Sequence, residues 1–79
     1  MGMTRRSIQV MADILSLCKQ PQTERQLIGK TSLSRSMLQV YLSQLQSKRL
    51  LEVHHSSTKY ATTPEGFRFS ERYAEVLEL

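Results

Sequence analysis

The stretch Leu33–Leu45, LSRSMLQVYLSQL, places Leu38, Tyr41, Leu42 and Leu45 on one side of a helix. The opposite side carries Ser36, Gln39, Val40, Ser43 and Ser47, with Arg35 at its beginning. A solvated helix face usually carries Glu and Lys. This one is short, almost uncharged and rich in groups that both donate and accept hydrogen bonds. Its chemistry is hydrogen-bonding recognition rather than proton transfer, the bland alternative being a polar face that meets only water.

Catalytic chemistry finds no support elsewhere in the chain. A Gly-rich phosphate loop, a metal-ligand cluster and a nucleophile motif are all missing from the sequence, so neither an enzyme nor a cofactor is expected. His54 and His55 are adjacent, and neighbouring strand residues point to opposite faces. Zinc would need two further ligands, so no metal site is expected, although a histidine there can make a pH-sensitive contact. Cys18 has no second cysteine to pair with, which fits a reducing, intracellular compartment. It reads as a small buried apolar group rather than a reactive thiolate.

Seventy-nine residues make one small domain, here taken as 1–79, near the size at which a core needs help from oligomerisation, disulfides or metals. With 39% apolar residues the chain should fold. No apolar run approaches the roughly 20 residues of a membrane span, no secretory signal is visible, and Arg6 stands where a myristoylation site wants Ser or Thr. A cytoplasmic protein is expected. The net charge is +4, unevenly placed: residues 1–64 hold nine Lys/Arg against three Asp/Glu, and residues 65–79 hold two against four. A basic body with an acidic tail suits an anionic partner at one end and another task at the other, unless it is ordinary surface charge.

The elements that position these residues follow from spacing and caps. A first helix is expected from about Arg5 to Lys19, capped by Thr4. Ile8, Met11, Ala12, Leu15 and Cys18 form its main apolar stripe. Met3, Val10, Ile14 and Leu17 form a second, as in a helix buried between two partners. Pro21 disfavours helix at Gln20. A second helix opens with Thr23 and Gln26 as a capping box and should end near Gly29 in a left-handed cap. Ser34 caps the third helix, which ends near Lys48 to Leu50. Leu51 to His55 and Lys59 to Thr62 alternate like two short strands around a turn at Ser56 to Thr58. Thr63 caps a last helix with Pro64 at its first position, running to Leu79. Two helices joined tightly after a supporting helix have helix-turn-helix organisation.

With that order of helix-helix-helix-hairpin-helix, the chain resembles the winged-helix proteins, and more closely the small archaeal-type winged helix-turn-helix regulators. LSRSMLQVYLSQLQSKRLLE, KYATT and TPEGFRFSERYAEVLEL carry the resemblance. It implies a mainly α fold with a small β-hairpin, the wing. It also implies double-stranded DNA as partner, and a recognition helix over 35–48 lying in the major groove. The neutral face then makes sense: Gln39 can bind adenine, Val40 a thymine methyl and Arg35 a guanine or phosphate, with Ser36 and Ser43 beside them. Lys30, Thr31, Ser32 and Ser34 would hold phosphates at the turn. Ser56, Ser57, Thr58 and Lys59 would do so from the wing.

In that family the C-terminal helix, here 64–79, pairs with a second subunit. Phe69, Tyr73 and Val76 form a short coiled-coil-like seam, while Phe67, Ala74 and Leu77 form a stripe for the domain's own core. With Met3, Val10, Ile14 and Leu17 of the first helix, the seam would make a symmetric homodimer, unless both stripes satisfy each other within one chain. The expected function is a repressor-like, nucleoid-associated transcriptional regulator. The alternatives are a chromatin-like binder with little sequence preference, or a protein-interaction module of a larger assembly in which the same fold binds protein surfaces.

Overall fold

A computed structural model describes residues 7–78, with side chains described over 8–72. It contains α1 (Ser7–Leu17), α2 (Glu24–Thr31), α3 (Arg35–Ser47), β1 (Leu51–His54), β2 (Lys59–Thr62) and α4 (Pro64–Glu78). This is the expected order of three helices, a hairpin and a fourth helix, a mainly α fold with a small β-hairpin. The start of the first helix near Arg5, the Thr4 cap and Met3 lie outside the described residues.

The core is built where apolar side chains from α1, α2, α3 and β1 converge: Val10, Ile14, Leu15, Cys18, Leu27, Leu38, Tyr41, Leu42, Leu45 and Leu51. Removing such side chains from water is the main force holding a domain of this size together. α1 packs against α2, α4 and β2, as befits a helix with two apolar sides. The division of those sides differs from expectation. Ile8, assigned to the main core stripe, is 42% exposed, whereas Val10 is buried and Ile14 is fully so. The core begins at Val10 and leaves Ile8 outside it.

The C-terminal end of α1 would leave carbonyls without helical partners. The hairpin and the segment before α2 supply them. Thr62 Oγ1 donates to the Leu15 carbonyl at 2.6 Å, and Thr62 N to that of Cys18 at 2.9 Å. Gln22 Nε2 donates to the Leu17 carbonyl at 3.2 Å. Gln22 also exchanges two backbone hydrogen bonds with Tyr60, at 3.0 and 2.8 Å, adding a one-residue third rung beside β2.

α2 opens with the expected capping box, Thr23 and Gln26 each bonding the other's amide. Its end corrects the sequence expectation. The helix passes through Gly29 and stops at Thr31, with Ser32 in the left-handed region at φ 63°. Thr31 Oγ1 donates to the Leu27 carbonyl at 2.7 Å and accepts from Leu33 N at 3.3 Å, which ties the helix end two residues beyond the glycine.

β1 and β2 pair antiparallel from Leu51 with Thr62 to His54 with Lys59. The chain enters β1 through a left-handed Arg49, φ 62°, while Leu50 N reaches back to the Leu45 carbonyl at 2.9 Å. α4 begins as expected. Gly66 N donates to Thr63 Oγ1 at 3.1 Å, and that hydroxyl donates to the Arg49 carbonyl at 2.8 Å, joining the end of α3 to the start of α4. The helix lies so close to this junction that a Cβ on Gly66 would sit 2.2 Å from the Leu50 carbonyl oxygen.

Candidate nucleic-acid interface

α3 is positioned from both ends and from beneath. Ser34 Oγ accepts from Met37 N at 3.2 Å, and Leu38 N donates to the Ser34 carbonyl at 2.9 Å, which fixes the first turn. Leu38, Tyr41, Leu42 and Leu45 anchor the helix in the core. What remains outward is the expected face: Arg35, Ser36, Gln39, Val40 and Ser43 are all exposed. Val40 is 48% exposed, an apolar group held in the open between hydrogen-bonding neighbours.

Met37, 46% exposed, extends this face and was missed from sequence. The available signal was its spacing, one turn before Val40 and off the Leu38–Tyr41–Leu42–Leu45 side. A methionine normally reads as core, which concealed it.

A second residue missed from sequence is Glu24, at the start of α2. Its Oε1 lies 3.6 Å from Arg35 Nε, and its Oε2 accepts a hydrogen bond from Gln39 Nε2. The glutamate is fifteen positions from Gln39, and only the angle between α2 and α3 brings them together. Glu24 also acts on the hairpin: burial foremost, and then this carboxylate, raise the Tyr60 phenol above its ordinary pKa.

The residues expected to meet phosphates divide into two groups. Ser56, Ser57, Thr58 and Lys59 are exposed at the hairpin tip, where Ser57 N donates to the His54 carbonyl at 3.1 Å and Thr58 is left-handed at φ 53°. Ser32 and Ser34 are exposed at the turn between α2 and α3. Thr31 is a correction: it is buried, and its hydroxyl is engaged with the Leu27 carbonyl and the Leu33 amide, so it is turned away from any ligand. Lys30 is exposed, yet its Nζ donates to Gln22 Oε1 at 3.2 Å, on the side of α2 that faces the end of α1. Lys48 and Arg49 are exposed where α3 gives way to β1.

The expected dimer surface is also redrawn. Val10 and Ile14 lie inside the subunit and cannot form an outer stripe. Leu17 and Phe69 are half-buried against the same core. Phe69 takes the place foreseen for Phe67, whose ring instead has Lys19 Nζ 6.0 Å from its centroid. The reason is the packing of α4 on α1, which closes the second stripe of α1 within the chain. Met3 and the side chains of Tyr73, Ala74, Val76 and Leu77 lie outside the described residues.

His54 Nε2 stands 3.5 Å from Glu52 Oε2 on the exposed hairpin. Among the described residues there is no group of three or more His, Cys, Asp and Glu placed to hold a metal ion, and no helix long and apolar enough to cross a membrane. Cys18 is buried, and burial raises its thiol pKa from 9.0 to about 12, against a smaller opposing pull from Lys30. A thiol so placed is a poor nucleophile at neutral pH.

Residues 4–79 match the model of the family described as winged helix-turn-helix. No curated protein matches the chain.

Proposed function

The chain belongs to the winged helix-turn-helix family, a DNA-binding fold that is typically non-enzymatic, and on that premise we propose that it is a sequence-reading, repressor-like regulator of the small archaeal type. The observation that carries this reading is the outward face of α3, where Arg35, Ser36, Gln39, Val40 and Ser43 stand exposed above a fully anchored helix.

A helix of this diameter fits the major groove, where each base pair presents its own pattern of donors, acceptors and methyl groups. Gln39 offers an amide to adenine, Arg35 a guanidinium to guanine or phosphate, and Val40 with Met37 an apolar surface to thymine methyls. Ser36 and Ser43 hydrogen-bond on either side. Ser32, Ser34 and the hairpin tip Ser56, Ser57, Thr58 and Lys59 hold the phosphate backbone, which positions the helix without reading sequence. Occupying DNA and excluding other proteins from it is how such a domain represses, which places it at the nucleoid in the cytoplasm.

Two copies would pair through α4, with Tyr73 and Val76 as what remains of the expected seam now that Leu17 and Phe69 pack on the chain's own core. Two recognition helices related by a two-fold axis then read half-sites roughly 34–36 Å apart, and the preferred site is pseudo-palindromic. Selection of binding sequences from a random duplex pool tests the reading. The wild-type chain enriches a common motif, and the Arg35→Ala/Gln39→Ala chain, equally folded, does not. A wild-type selection without a motif favours a chromatin-like binder, and absence of binding favours a protein-interaction module.

A further inference from the structure

Glu24 is an acidic side chain in contact with two residues of the reading face of α3, Arg35 and Gln39. An acidic group beside a surface meant for a polyanion is unfavourable for every duplex alike. Its location calls for a compensating gain, and its partners suggest one.

A carboxylate only accepts hydrogen bonds. It therefore decides which end of the Gln39 amide faces it: the nitrogen donates to Glu24, and the oxygen and the second amide hydrogen remain on an exposed side chain. That pair is the one adenine needs, an acceptor for its N6 amine and a donor for N7. The same carboxylate draws Arg35 from its Nε side, at 3.6 Å, with the terminal guanidinium nitrogens on a side chain that is largely exposed. Glu24 is itself held in place by the capping box at the start of α2, and its side chain is only 25% exposed against 75% for Arg35.

We propose that Glu24 is a specificity-determining positioning residue: it orients Arg35 and Gln39 as one unit and offsets the Arg35 charge, so that phosphate attraction alone does not secure binding. The proposal rests on the DNA-reading function of α3. A non-cognate duplex meets the repulsion of Glu24 without the base contacts that compensate it. A cognate duplex meets a pre-arranged pair, which avoids the ordering cost of finding the right rotamers on binding.

The test compares wild type, Glu24→Gln and Glu24→Asp, each checked for folding by thermal melting, on a random 30-base-pair duplex (about three helical turns) and on a duplex enriched by the wild-type chain. Glu24→Gln removes the charge and allows the Gln39 amide to face either way. Its affinity for random duplex is expected to rise about threefold to tenfold, with a salt slope steeper by roughly 0.9 as Arg35 turns to a phosphate. Its preference for the enriched duplex should fall about tenfold.

Glu24→Asp keeps the charge and shortens the reach. Its random-duplex affinity stays at the wild-type level while its preference falls, which separates orientation from charge. Unchanged preference in both folded variants, or equal weakening on both duplexes, overturns the proposal and leaves the DNA-reading function standing. A wild-type chain that binds duplexes without preference overturns the sequence-reading function and the proposal with it, and one that binds no duplex overturns DNA binding as well.

Discussion

Thr62 Oγ1 donates to the Leu15 carbonyl at 2.6 Å, linking the last residue of the hairpin to the end of α1 across 47 positions of sequence. Both groups are buried, so neither finds water when the other is removed. The hairpin is thereby fixed to the helix that carries much of the core, and the wing is held as part of the domain rather than as a free flap.

Thr62→Val keeps the shape and removes the hydroxyl. Leaving the Leu15 carbonyl unsatisfied should destabilise the chain by about 1–3 kcal/mol, read as a lower urea midpoint with an unchanged m-value. An unchanged midpoint would mean that the carbonyl finds another donor.

The two glycines in helices make opposite demands. A Cβ on Gly66 would sit 2.2 Å from the Leu50 carbonyl oxygen and 2.5 Å from Thr62 Cγ2, whereas one on Gly29 would meet nothing within 4 Å. Gly66→Ala forces α4 away from the α3–β1 junction and should cost roughly 1–3 kcal/mol. Gly29→Ala, in a helix interior with ordinary backbone angles, should stabilise by about 0.5–1 kcal/mol. Chemical denaturation of the two variants decides, and the same sign for both would contradict the packing described.

Cys18 makes stability fall in alkali. Its thiol holds the proton up to about pH 12 in the folded chain and releases it near its ordinary 9.0 when unfolded. The folded state therefore binds the proton more tightly. The associated stability is complete below pH 9.0 and declines as pH rises toward 12, by roughly 1 kcal/mol per unit from this group. Urea midpoints at about pH 8 and about pH 10.5 should fall further in wild type than in Cys18→Ala. Iodoacetamide should label Cys18 slowly in the native chain and quickly in denaturant.

Most of the element order was legible because local signals agree with one another. The Thr23–Gln26 box, the Ser34 cap, the Leu38–Tyr41–Leu42–Leu45 spacing and the Thr63–Pro64 start each act within one turn of chain. What escaped depends on how elements meet. Glu24 touches Arg35 and Gln39 only because α2 crosses α3. Gln22 reads as linker until its rung with Tyr60 is seen. Val10 and Ile14 looked like spare apolar surface, since periodicity tells that a stripe exists but not which neighbour covers it. Gly29 looked like a cap, and the Thr31 hydroxyl, bonded within the turn, moved the helix end past it.

The central claim, that α3 reads duplex DNA, is tested most directly by fluorescence-anisotropy titration of a random-sequence duplex across about 50–300 mM salt, with unlabelled competitors of varied sequence. The account predicts affinity that falls steeply with salt, by about 0.9 log units per log unit for each phosphate held, and competitors that differ in strength. That difference disappears in Arg35→Ala/Gln39→Ala. No binding at the lowest salt, or a double variant that discriminates among competitors as the wild type does, would contradict it.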